Sequence, residues 1–236
     1  MKRLSEEELA RYKRNIKLDE IGESGQMKLR DAKVLVVGTG GLGSPVAYYL
    51  ASCGVGTIGL IDGDVVDSSN LQRQILHRTC DIGRKKVDSA AEKLIELNPN
   101  ITVEKHDCWL TADNVGDTIA PYDFVVDATD SGMTKLLIND ACVAAGKTFS
   151  YGGVYRYSGI TFTHLPGTAH YRTFFPVSEG ALPSRSQNGI LGVVPGILGS
   201  IQATEAIKYI TGIGTLLTDR MLRFNALDMT FDIFKI

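Results

Sequence analysis

KVLVVGTGGLG, at residues 33–43, decides the fold of this 236-residue chain. Its first half, KVLVV, is a β-branched apolar run, which is typical of a strand buried on both faces of a parallel sheet. The glycine-rich half predicts a tight turn, and the SPVAYYLASCG that follows predicts a helix that stops at Gly54. A second apolar strand at Thr57–Ile61 ends before Asp62. The stretch and its surroundings therefore predict a βαβ unit.

The alternation of strand and helix continues from this unit to about residue 148. Residues 63–80 fit neither period and predict a long crossover loop. The elements predicted after it are a helix at Gly83–Leu97, strands at roughly 101–105 and 122–128, and helices at roughly 111–119 and Lys135–Ala145. Such an alternation predicts an α/β fold with a doubly wound, Rossmann-like sheet whose strands run mainly parallel.

The pattern changes after residue 148. Two alternating runs around Tyr157-Ser158-Gly159 predict an antiparallel hairpin that extends the sheet. Residues 165–189 predict a mobile loop, and Val193–Ile210 predicts an apolar helix. Two short strands at about 221–226 and 230–235 then add further antiparallel strands at the C-terminal end.

The N-terminal segment, residues 1–30, is predicted to be a helical appendage to this sheet. Charged residues alternate with Leu and Ile at helical spacing over residues 5–30, which predicts two short amphipathic helices. No internal repeat or linker interrupts the chain, so we predict a single domain over residues 1–236.

The composition excludes several classes of function. There are 25 Lys and Arg against 27 Asp and Glu, so the net charge of −2 creates no strong field to attract nucleic acid or an anionic membrane. The charged start, MKRLSEEELARYKRNIKLDE, lacks the apolar stretch of a secretory signal, and no later apolar run reaches the roughly 18 residues of a membrane span. We therefore predict a cytoplasmic protein with no nucleic-acid and no membrane partner.

Three glycines and one aspartate predict a nucleotide site. Gly38, Gly40 and Gly43 match G-x-G-x-x-G at the start of a predicted helix, where N–H groups and the helix dipole attract phosphate. Asp62 ends the next strand, where a carboxylate can accept hydrogen bonds from both ribose hydroxyls. The glycines alone could serve only tight packing of strand against helix. With Asp62 they predict an adenine nucleotide, which could be a nicotinamide cofactor or ATP.

Amides and cations after the second strand favour ATP. NLQRQ at 70–74 and Arg84-Lys85-Lys86 supply more positive charge than a diphosphate held by backbone amides requires. Arg73 and Lys86 could stabilise the charge that gathers on a leaving pyrophosphate when the α-phosphorus is attacked. Either charge alone could be a solvated surface charge, but their joint occurrence beside the glycine turn favours adenylyl transfer.

Asp130 is the candidate metal ligand. It stands in VVDATDS, just past a predicted buried strand, at the sheet edge where open α/β folds bind ligands. A carboxylate there could hold Mg²⁺, which would neutralise phosphate oxygens. The alternative is that Asp130 caps the helix predicted at 132–145, and the two roles could coexist. Asp127, two residues earlier, is the less attractive candidate.

Longer motifs connect these residues to a known family. They are RYKRNI at 11–16, GTGGLGSP at 38–45, DGDVVDSSNLQRQILH at 62–77, DIGRKKVDSA at 81–90, VVDATDS at 125–131 and ILGVVPGILGSIQATEAIKYITG at 190–212. Over nearly its whole length the chain resembles the ThiF/MoeB/HesA adenylyltransferases, which are relatives of the ubiquitin-activating enzymes. NLQRQ and its downstream lysine are far more specific to that family than the glycines are.

The resemblance implies an activity and a partner. ATP would adenylate the C-terminal glycine of a small ubiquitin-like (β-grasp) sulfur-carrier protein ending in Gly-Gly, with release of pyrophosphate and formation of an acyl-adenylate. The family's binding residues would be Gly41 at the nucleotide phosphates, Asp62 at the ribose, Asn70 and Arg73 at the phosphates, Lys86 near the α-phosphate and Asp130 at Mg²⁺. The resemblance also implies a homodimer in which Arg14 reaches the β- and γ-phosphates of the other subunit. That arginine could alternatively be an ordinary charge of an amphipathic helix.

Two departures from the family pattern concern cysteine. Members commonly carry two CxxC pairs that hold one structural zinc. Here HYRTFFP at 170–176 stands in place of the first pair, and the chain ends about where the second would begin. The cysteines that are present, Cys53, Cys80, Cys108 and Cys142, form no CxxC pair. We therefore expect no structural zinc.

Some relatives also use a cysteine before the GILG segment for a thioester or persulfide, and PSRSQNG at 183–189 has none. We therefore expect adenylation without a covalent acyl-enzyme. Ser131 replaces an Asn that relatives often have, which removes one polar contact. Three alternatives stay open: adenylation of a peptide or a tRNA base by the same site, an NAD(P)-dependent oxidoreductase, and a binding scaffold without activity. Thiamine, molybdopterin and other sulfur pathways all remain possible contexts.

Overall fold

The computed structural model describes residues 3–175 and 189–236. The strands of these residues form one sheet in the order β3-β2-β1-β4-β5-β6-β7-β8. They are β1 (Lys33–Val37), β2 (Thr57–Ile61), β3 (Thr102–His106), β4 (Phe124–Asp127), β5 (Thr148–Tyr155), β6 (Ser158–His164), β7 (Arg220–Asn225) and β8 (Thr230–Lys235).

Helices cover both faces of the sheet. They are α1 (Glu6–Arg11), α2 (Lys13–Ile16), α3 (Gly22–Asp31), α4 (Gly43–Ser52), α5 (Lys86–Leu97), α6 (Val115–Ile119), α7 (Gly132–Ala144), α8 (Tyr171–Phe174) and α9 (Val193–Thr211). Among the described residues, no helix combines the length and the apolar character that crossing a membrane requires.

The type of strand pairing changes once along the sheet. Strands β3, β2, β1, β4 and β5 pair in parallel, whereas β5, β6, β7 and β8 pair antiparallel. The β5–β6 hairpin turns at Arg156-Tyr157, next to the predicted centre. This confirms the predicted fold class, a doubly wound parallel sheet extended by antiparallel strands.

The alternation of side chains in β1 supplies both halves of the core. Val34 and Val36 face the layer that contains α4, α5 and α9, while Leu35 and Val37 face the layer that contains α7 and α8. Because successive residues of a strand point to opposite faces, a continuous apolar run is needed when helices cover both. The two layers leave the carboxyl ends of the parallel strands uncovered.

The structure differs from the sequence-based prediction in three details. The appendage holds three helices, α1 to α3, rather than two. Helix α5 begins at Lys86 instead of Gly83, because Gly83 donates its N–H to Val66 and Lys85 pairs with Val65 in an isolated bridge. The crossover loop contains 3-10 turns at Ser68–Asn70 and Thr79–Asp81.

The mobile loop predicted at 165–189 falls partly outside the described residues. Its first part contains the short helix α8, whose Tyr171 is buried against the sheet. Residues 176–188 are outside the described ranges, and the predicted absence of a catalytic cysteine at 183–189 concerns that segment.

Tyr12 attaches the appendage to the rest of the fold. Its side chain is buried, and its hydroxyl accepts a hydrogen bond from Asn98 Nδ2 at 2.8 Å. Its ring lies against Gly54, where an added Cβ would lie 2.5 Å from Tyr12 Cζ. Gly54 also has a φ of +80°, a conformation that L side chains rarely adopt. Both the backbone and the contact therefore require glycine at this position.

We expect Gly54→Ala to lower the free energy of unfolding by about 2–4 kcal/mol, since it adds backbone strain to a clash with Tyr12. Gly83→Ala is the matched control, because Gly83 has a φ of +86° and nothing within 4 Å of an added Cβ. Urea unfolding of both variants separates the two costs. Equal losses of stability would contradict a role for the contact with Tyr12.

Candidate nucleotide-binding site

A cavity of about 940 Å³ opens at the carboxyl edge of the parallel strands. The predicted site residues that line it are Gly38, Gly40, Gly41, Asp62, Arg73, Lys86 and Asp130. Ligands of open α/β sheets bind at this edge. Residues from four separate stretches of sequence thus meet at one surface.

Close contacts require glycine at both ends of the glycine turn. Gly38 has a φ of +94°, and an added Cβ there would lie 2.8 Å from the carbonyl oxygen of Ala128. An added Cβ at Gly43 would lie 1.9 Å from the carbonyl oxygen of Gly38, so Gly43 allows α4 to start directly over the end of β1. Gly43 shapes the turn and does not line the cavity. The turn leaves Gly40 and Gly41 at the cavity wall, at the N-terminus of α4.

Asp62 is held in a fixed orientation at the end of β2. Its Oδ2 accepts hydrogen bonds from the backbone N–H of Thr39 at 2.8 Å and from the Thr39 hydroxyl at 3.0 Å. Its Oδ1 accepts the backbone N–H of Asp64 at 3.0 Å. A carboxylate has about four acceptor positions, so Asp62 keeps capacity for a hydroxyl of a ligand.

Lys86 reaches the cavity from the first turn of α5. Its side chain is only 6% exposed, and its Nζ lies 3.0 Å from Asp64 Oδ2. The Asp64 side chain is 38% exposed and also lines the cavity. An ammonium has three donors, so Lys86 can hold Asp64 and an anionic ligand together. Asp64 was not predicted as a site residue, although the DGD at 62–64 places it two residues from Asp62.

Asp127 belongs to a buried ion pair. Its carboxylate accepts hydrogen bonds from the Thr129 backbone at 3.0 Å, from the Thr129 hydroxyl at 2.7 Å and from Lys135 Nζ at 3.2 Å. Lys135 also donates to the carbonyl oxygen of Gly152 and lies 4.8 Å from the centre of the Tyr151 ring. With its charge matched and its oxygens in use, Asp127 is poorly suited to bind Mg²⁺.

Asp130 lies at the cavity wall beyond this pair. Helix α7 begins at Gly132, and its N-cap is Ser131, whose hydroxyl accepts the backbone N–H of Thr134 at 3.4 Å. The alternative role of Asp130 as the cap is therefore wrong. Among the described residues, no group of three or more His, Cys, Asp or Glu side chains could enclose a metal ion. A single exposed carboxylate facing an anionic ligand fits Mg²⁺, which keeps waters and binds through one or two carboxylates and phosphate oxygens.

Arg73 and Asn70 have different places in the crossover loop. The Arg73 side chain lines the cavity, and its Nη1 donates to the carbonyl oxygen of Ser69 at 3.0 Å. The Asn70 side chain accepts the backbone N–H of Asp67 at 3.3 Å and does not line the cavity. The carbonyl oxygen of Asn70 accepts the N–H of Arg73 at 3.1 Å. In this structure Asn70 therefore supports the turn that presents Arg73.

Arg14 lies apart from the cavity of its own chain. It is exposed on α2, within the appendage, and is not among the residues that line the cavity. Arg14, like Asn70, is thus a predicted phosphate-binding residue that does not line the cavity of a single copy of the chain.

Gln74 adds a buried amide to the cavity wall. It is 5% exposed, and its Nε2 would lie 3.4 Å from a Cβ added at Gly40. Within the part of the chain that the structure describes, its Oε1 has no hydrogen-bond partner. Buried polar atoms are normally satisfied, so this oxygen indicates a donor supplied by a ligand or by water. The sequence contained the signal in NLQRQ, whose second glutamine was not singled out.

His77 connects the glycine turn to α5 from beneath the cavity. Its Nε2 lies 3.0 Å from the carbonyl oxygen of Thr39, and its Nδ1 lies 2.9 Å from Ser89 Oγ. Because a carbonyl can only accept, Nε2 donates to Thr39 and Nδ1 accepts from the Ser89 hydroxyl. Burial lowers the pKa of His77, which keeps the ring in this neutral form. Lys93 Nζ completes the chain by donating to Ser89 Oγ at 2.9 Å.

The far end of this chain of hydrogen bonds is a buried ion pair. Lys93 Nζ lies 2.5 Å from Asp81 Oδ2, and Arg84 Nη1 lies 2.8 Å from Asp81 Oδ1. Burial alone would raise the pKa of Asp81, but hydrogen bonds led by the one from Lys93 outweigh it and hold that pKa below its usual range. The crossover loop and α5 are therefore joined by charge as well as by hydrogen bonds.

Comparison with known proteins supports one family. The ThiF family matches residues 12–236. The chain is 43% identical over 235 residues to the probable adenylyltransferase/sulfurtransferase MoeZ of Mycobacterium tuberculosis, covering 97% of this chain and 60% of that protein. It is 42% identical over 238 residues to the sulfur carrier protein adenylyltransferase of Thermus thermophilus, covering 97% of this chain and 88% of that protein. The chain thus spans three fifths of MoeZ.

Solved structures share the architecture at lower identity. The structure of E. coli MccB with MccA-N7isoASN has a TM-score of 0.85 and 23% identity, covering 96% of this chain and 71% of that one. At this identity the likeness concerns the fold alone. The mixed sheet and its covering helices are therefore a shared architecture.

The lowered pKa of His77 predicts a pH dependence of stability. Between its ordinary value near 6.5 and the lower folded value, the unfolded chain binds a proton that the folded chain does not. The stabilisation is therefore present above pH 6.5 and is lost as the pH falls through the folded pKa. We expect the melting temperature to fall further between pH 7.5 and 5.0 in the wild type than in His77→Gln. The difference should be about 2–4 °C for each kcal/mol of stabilisation that the wild type loses.

Thermal unfolding followed by circular dichroism at both pH values measures this difference. His164, whose pKa burial also lowers, is present in both proteins and cancels from the comparison. Parallel pH profiles for the two proteins would contradict the neutral, buried state of His77.

Proposed function

Because the chain belongs to the ThiF family, we propose that it is an ATP-dependent adenylyltransferase that activates the C-terminal carboxylate of a small ubiquitin-like sulfur carrier ending in Gly-Gly. The observation that carries this proposal is the meeting of Asp62, Arg73, Lys86 and Asp130 at one cavity beside the glycine turn. The names of the relatives support it, since one is called a sulfur carrier protein adenylyltransferase and another an adenylyltransferase/sulfurtransferase. We further propose that residues 1–236 act as one catalytic domain.

In the proposed reaction a carboxylate oxygen of the carrier attacks the α-phosphorus of ATP, and the bond to pyrophosphate breaks. The product is a mixed anhydride of the carrier and AMP. Asp62 would accept a hydrogen bond from a ribose hydroxyl and so fix the α-phosphate relative to the glycine turn. Lys86 and Arg73 would stabilise the charge that grows on the leaving pyrophosphate, an effect that is larger in the transition state than in the ground state.

Asp130 would hold Mg²⁺ in this scheme. When bound, the ion would screen the repulsion between phosphate oxygens and the incoming carboxylate. The fit rests on the position of Asp130 at the cavity wall, where its side chain is exposed, whereas Asp127 is buried. We likewise propose that no structural zinc accompanies the activity, since HYRTFFP at 170–176 stands in place of the first CxxC pair.

The proposed working unit is a homodimer in which Arg14 acts across the interface. A single chain leaves Arg14 exposed on α2, outside its own cavity. An arginine from a second subunit would add a fixed cation at the β- and γ-phosphates. The site would then be complete only in the assembled protein.

Carrier-dependent exchange of radiolabelled pyrophosphate into ATP tests the proposed function. We expect exchange with a carrier ending in Gly-Gly and none with the same carrier lacking its last glycine. Asp130→Asn keeps the side-chain shape but removes the charge, and it should reduce exchange by about 100-fold or more. Asp113→Asn, a change at an exposed aspartate outside the cavity, is the matched control and should leave the rate unchanged.

No exchange with any Gly-Gly carrier would refute the carrier proposal. Exchange that requires a peptide or a tRNA instead would assign the same site to another substrate. Exchange that survives Asp130→Asn would remove Asp130 from the proposed machinery.

Mixing two inactive variants tests whether Arg14 acts in the other subunit. Arg14→Ala and Asp130→Asn should each be inactive alone, because each removes one part of every site. In a mixed dimer, the subunit that keeps Asp130 receives Arg14 from its partner, so one site of two is intact. Random reassociation should therefore restore about a quarter of wild-type exchange. No restoration, with mixed dimers demonstrated by differential tags, would show that Arg14 acts within its own chain or not at all.

A further inference from the structure

Trp109, the sole tryptophan of the chain, lies in the candidate site. Its side chain is 53% exposed, and it lines the cavity together with Ile61, Cys108 and Leu110. A single exposed apolar residue on an open surface needs no explanation. An indole that forms part of a cavity wall beside apolar neighbours is a surface on which a flat ligand can pack.

The indole lies flat on the backbone of Gly63. A Cβ added at Gly63 would lie 2.8 Å from Trp109 Cε2, 2.9 Å from Cδ2 and 2.9 Å from Nε1. Three ring atoms at almost equal distance from one point place that point over the face of the ring, rather than at its edge. Gly63 directly follows Asp62, so the position of the ring is set by the same segment that carries the proposed ribose acceptor.

The backbone of Trp109 is anchored as well. Asn114, which precedes α6, donates from Nδ2 to the carbonyl oxygen of Trp109 at 2.9 Å. The Oδ1 of Asn114 accepts the backbone N–H of Thr111 at 2.8 Å. These two hydrogen bonds close the turn after β3 and hold the backbone from which the indole projects. The ring is therefore preorganised, which reduces the entropy lost when a ligand packs on it.

The strand order places this ring where the base of a nucleotide would be. The glycine turn follows β1, Asp62 follows β2, and Trp109 follows β3, and these strands are neighbours in that order. In a nucleotide the phosphates and the base leave the ribose on opposite sides. With phosphates at the glycine turn and the ribose at Asp62, the base extends towards the end of β3.

We propose that Trp109 forms the stacking wall of the nucleobase subsite, with its indole packed against the adenine ring of ATP. The proposal rests on the proposed nucleotide-binding function and adds a binding residue to it. Stacking of a base on an aromatic side chain contributes about 1–3 kcal/mol, so loss of the indole should raise the dissociation constant of ATP on the order of tenfold.

Intrinsic fluorescence of the full chain tests the subsite directly, because every emitted tryptophan photon comes from Trp109. We expect ATP and adenosine each to quench or shift the emission with saturation, and tripolyphosphate to leave it unchanged. By calorimetry, Trp109→Ala should weaken ATP about tenfold, while Trp109→Phe should stay within about threefold of the wild type. Ile82→Ala removes an equally exposed apolar side chain outside the cavity and should not change ATP affinity.

The proposal would be overturned by tryptophan fluorescence that does not change with adenosine, or that responds to tripolyphosphate as strongly as to ATP. Unchanged ATP affinity in Trp109→Ala would overturn it as well. If that variant fails to fold, the wild-type titration and Trp109→Phe still decide the question.

The outcomes separate this proposal from the proposed reaction. A quench by ATP and adenosine without any carrier-dependent exchange would support the nucleobase subsite and refute the carrier adenylation. Carrier-dependent exchange without a fluorescence response to adenosine would support the carrier adenylation and refute the nucleobase subsite.

Discussion

The site depends first on the backbone of Thr39, which lies between the two glycines that bring β1 and α4 together. Its N–H and hydroxyl hold Asp62 at the end of β2, and its carbonyl oxygen is held by His77. His77 in turn is fixed by Ser89 on α5, the helix whose first residue is Lys86. One residue thus links the phosphate turn, the proposed ribose acceptor and the helix of the proposed phosphate cation. A shift of the turn would move these groups together, which keeps their spacing constant.

The ion pairs around the cavity differ in whether both of their side chains are buried. Asp81 with Lys93 and Asp127 with Lys135 are buried pairs, in which loss of one partner would leave an uncompensated charge. The pair of Lys86 and Asp64 lies at the cavity wall, and its carboxylate is partly exposed. An anion entering the cavity can therefore share Lys86 without leaving a charge buried and alone. The first two pairs therefore stabilise the fold, whereas Lys86 remains available to bind a ligand.

The parts of the fold that follow from local pattern could be predicted from the sequence. Strands β1 and β2 match their predicted bounds because each is a continuous apolar run between turn residues. Asp62 could be named because the end of a strand fixes its position, and Lys86 because it belongs to a run of cations and to the DIGRKKVDSA motif. Trp109 could not be selected as a site residue, since its place at the cavity depends on a contact with Gly63 that no local pattern encodes. The start of α5 was missed for the same reason: the bridge of Lys85 to Val65 is a long-range pairing that overrides helix propensity.

The antiparallel end of the sheet gives the cavity its second half. In β5 and β6 the cavity wall is formed partly by Gly153 and Gly159, where side chains would collide with Tyr151 and with Phe224. Glycine at these points keeps side chains out of the cavity, so the backbone itself forms this part of the wall. The chain reverses direction at β5 and β6, so this backbone lies next to the carboxyl edge where Asp130 stands. In the proposed reaction, the C-terminal tail of the carrier would lie between this wall and the nucleotide, from where its carboxylate would reach the α-phosphorus.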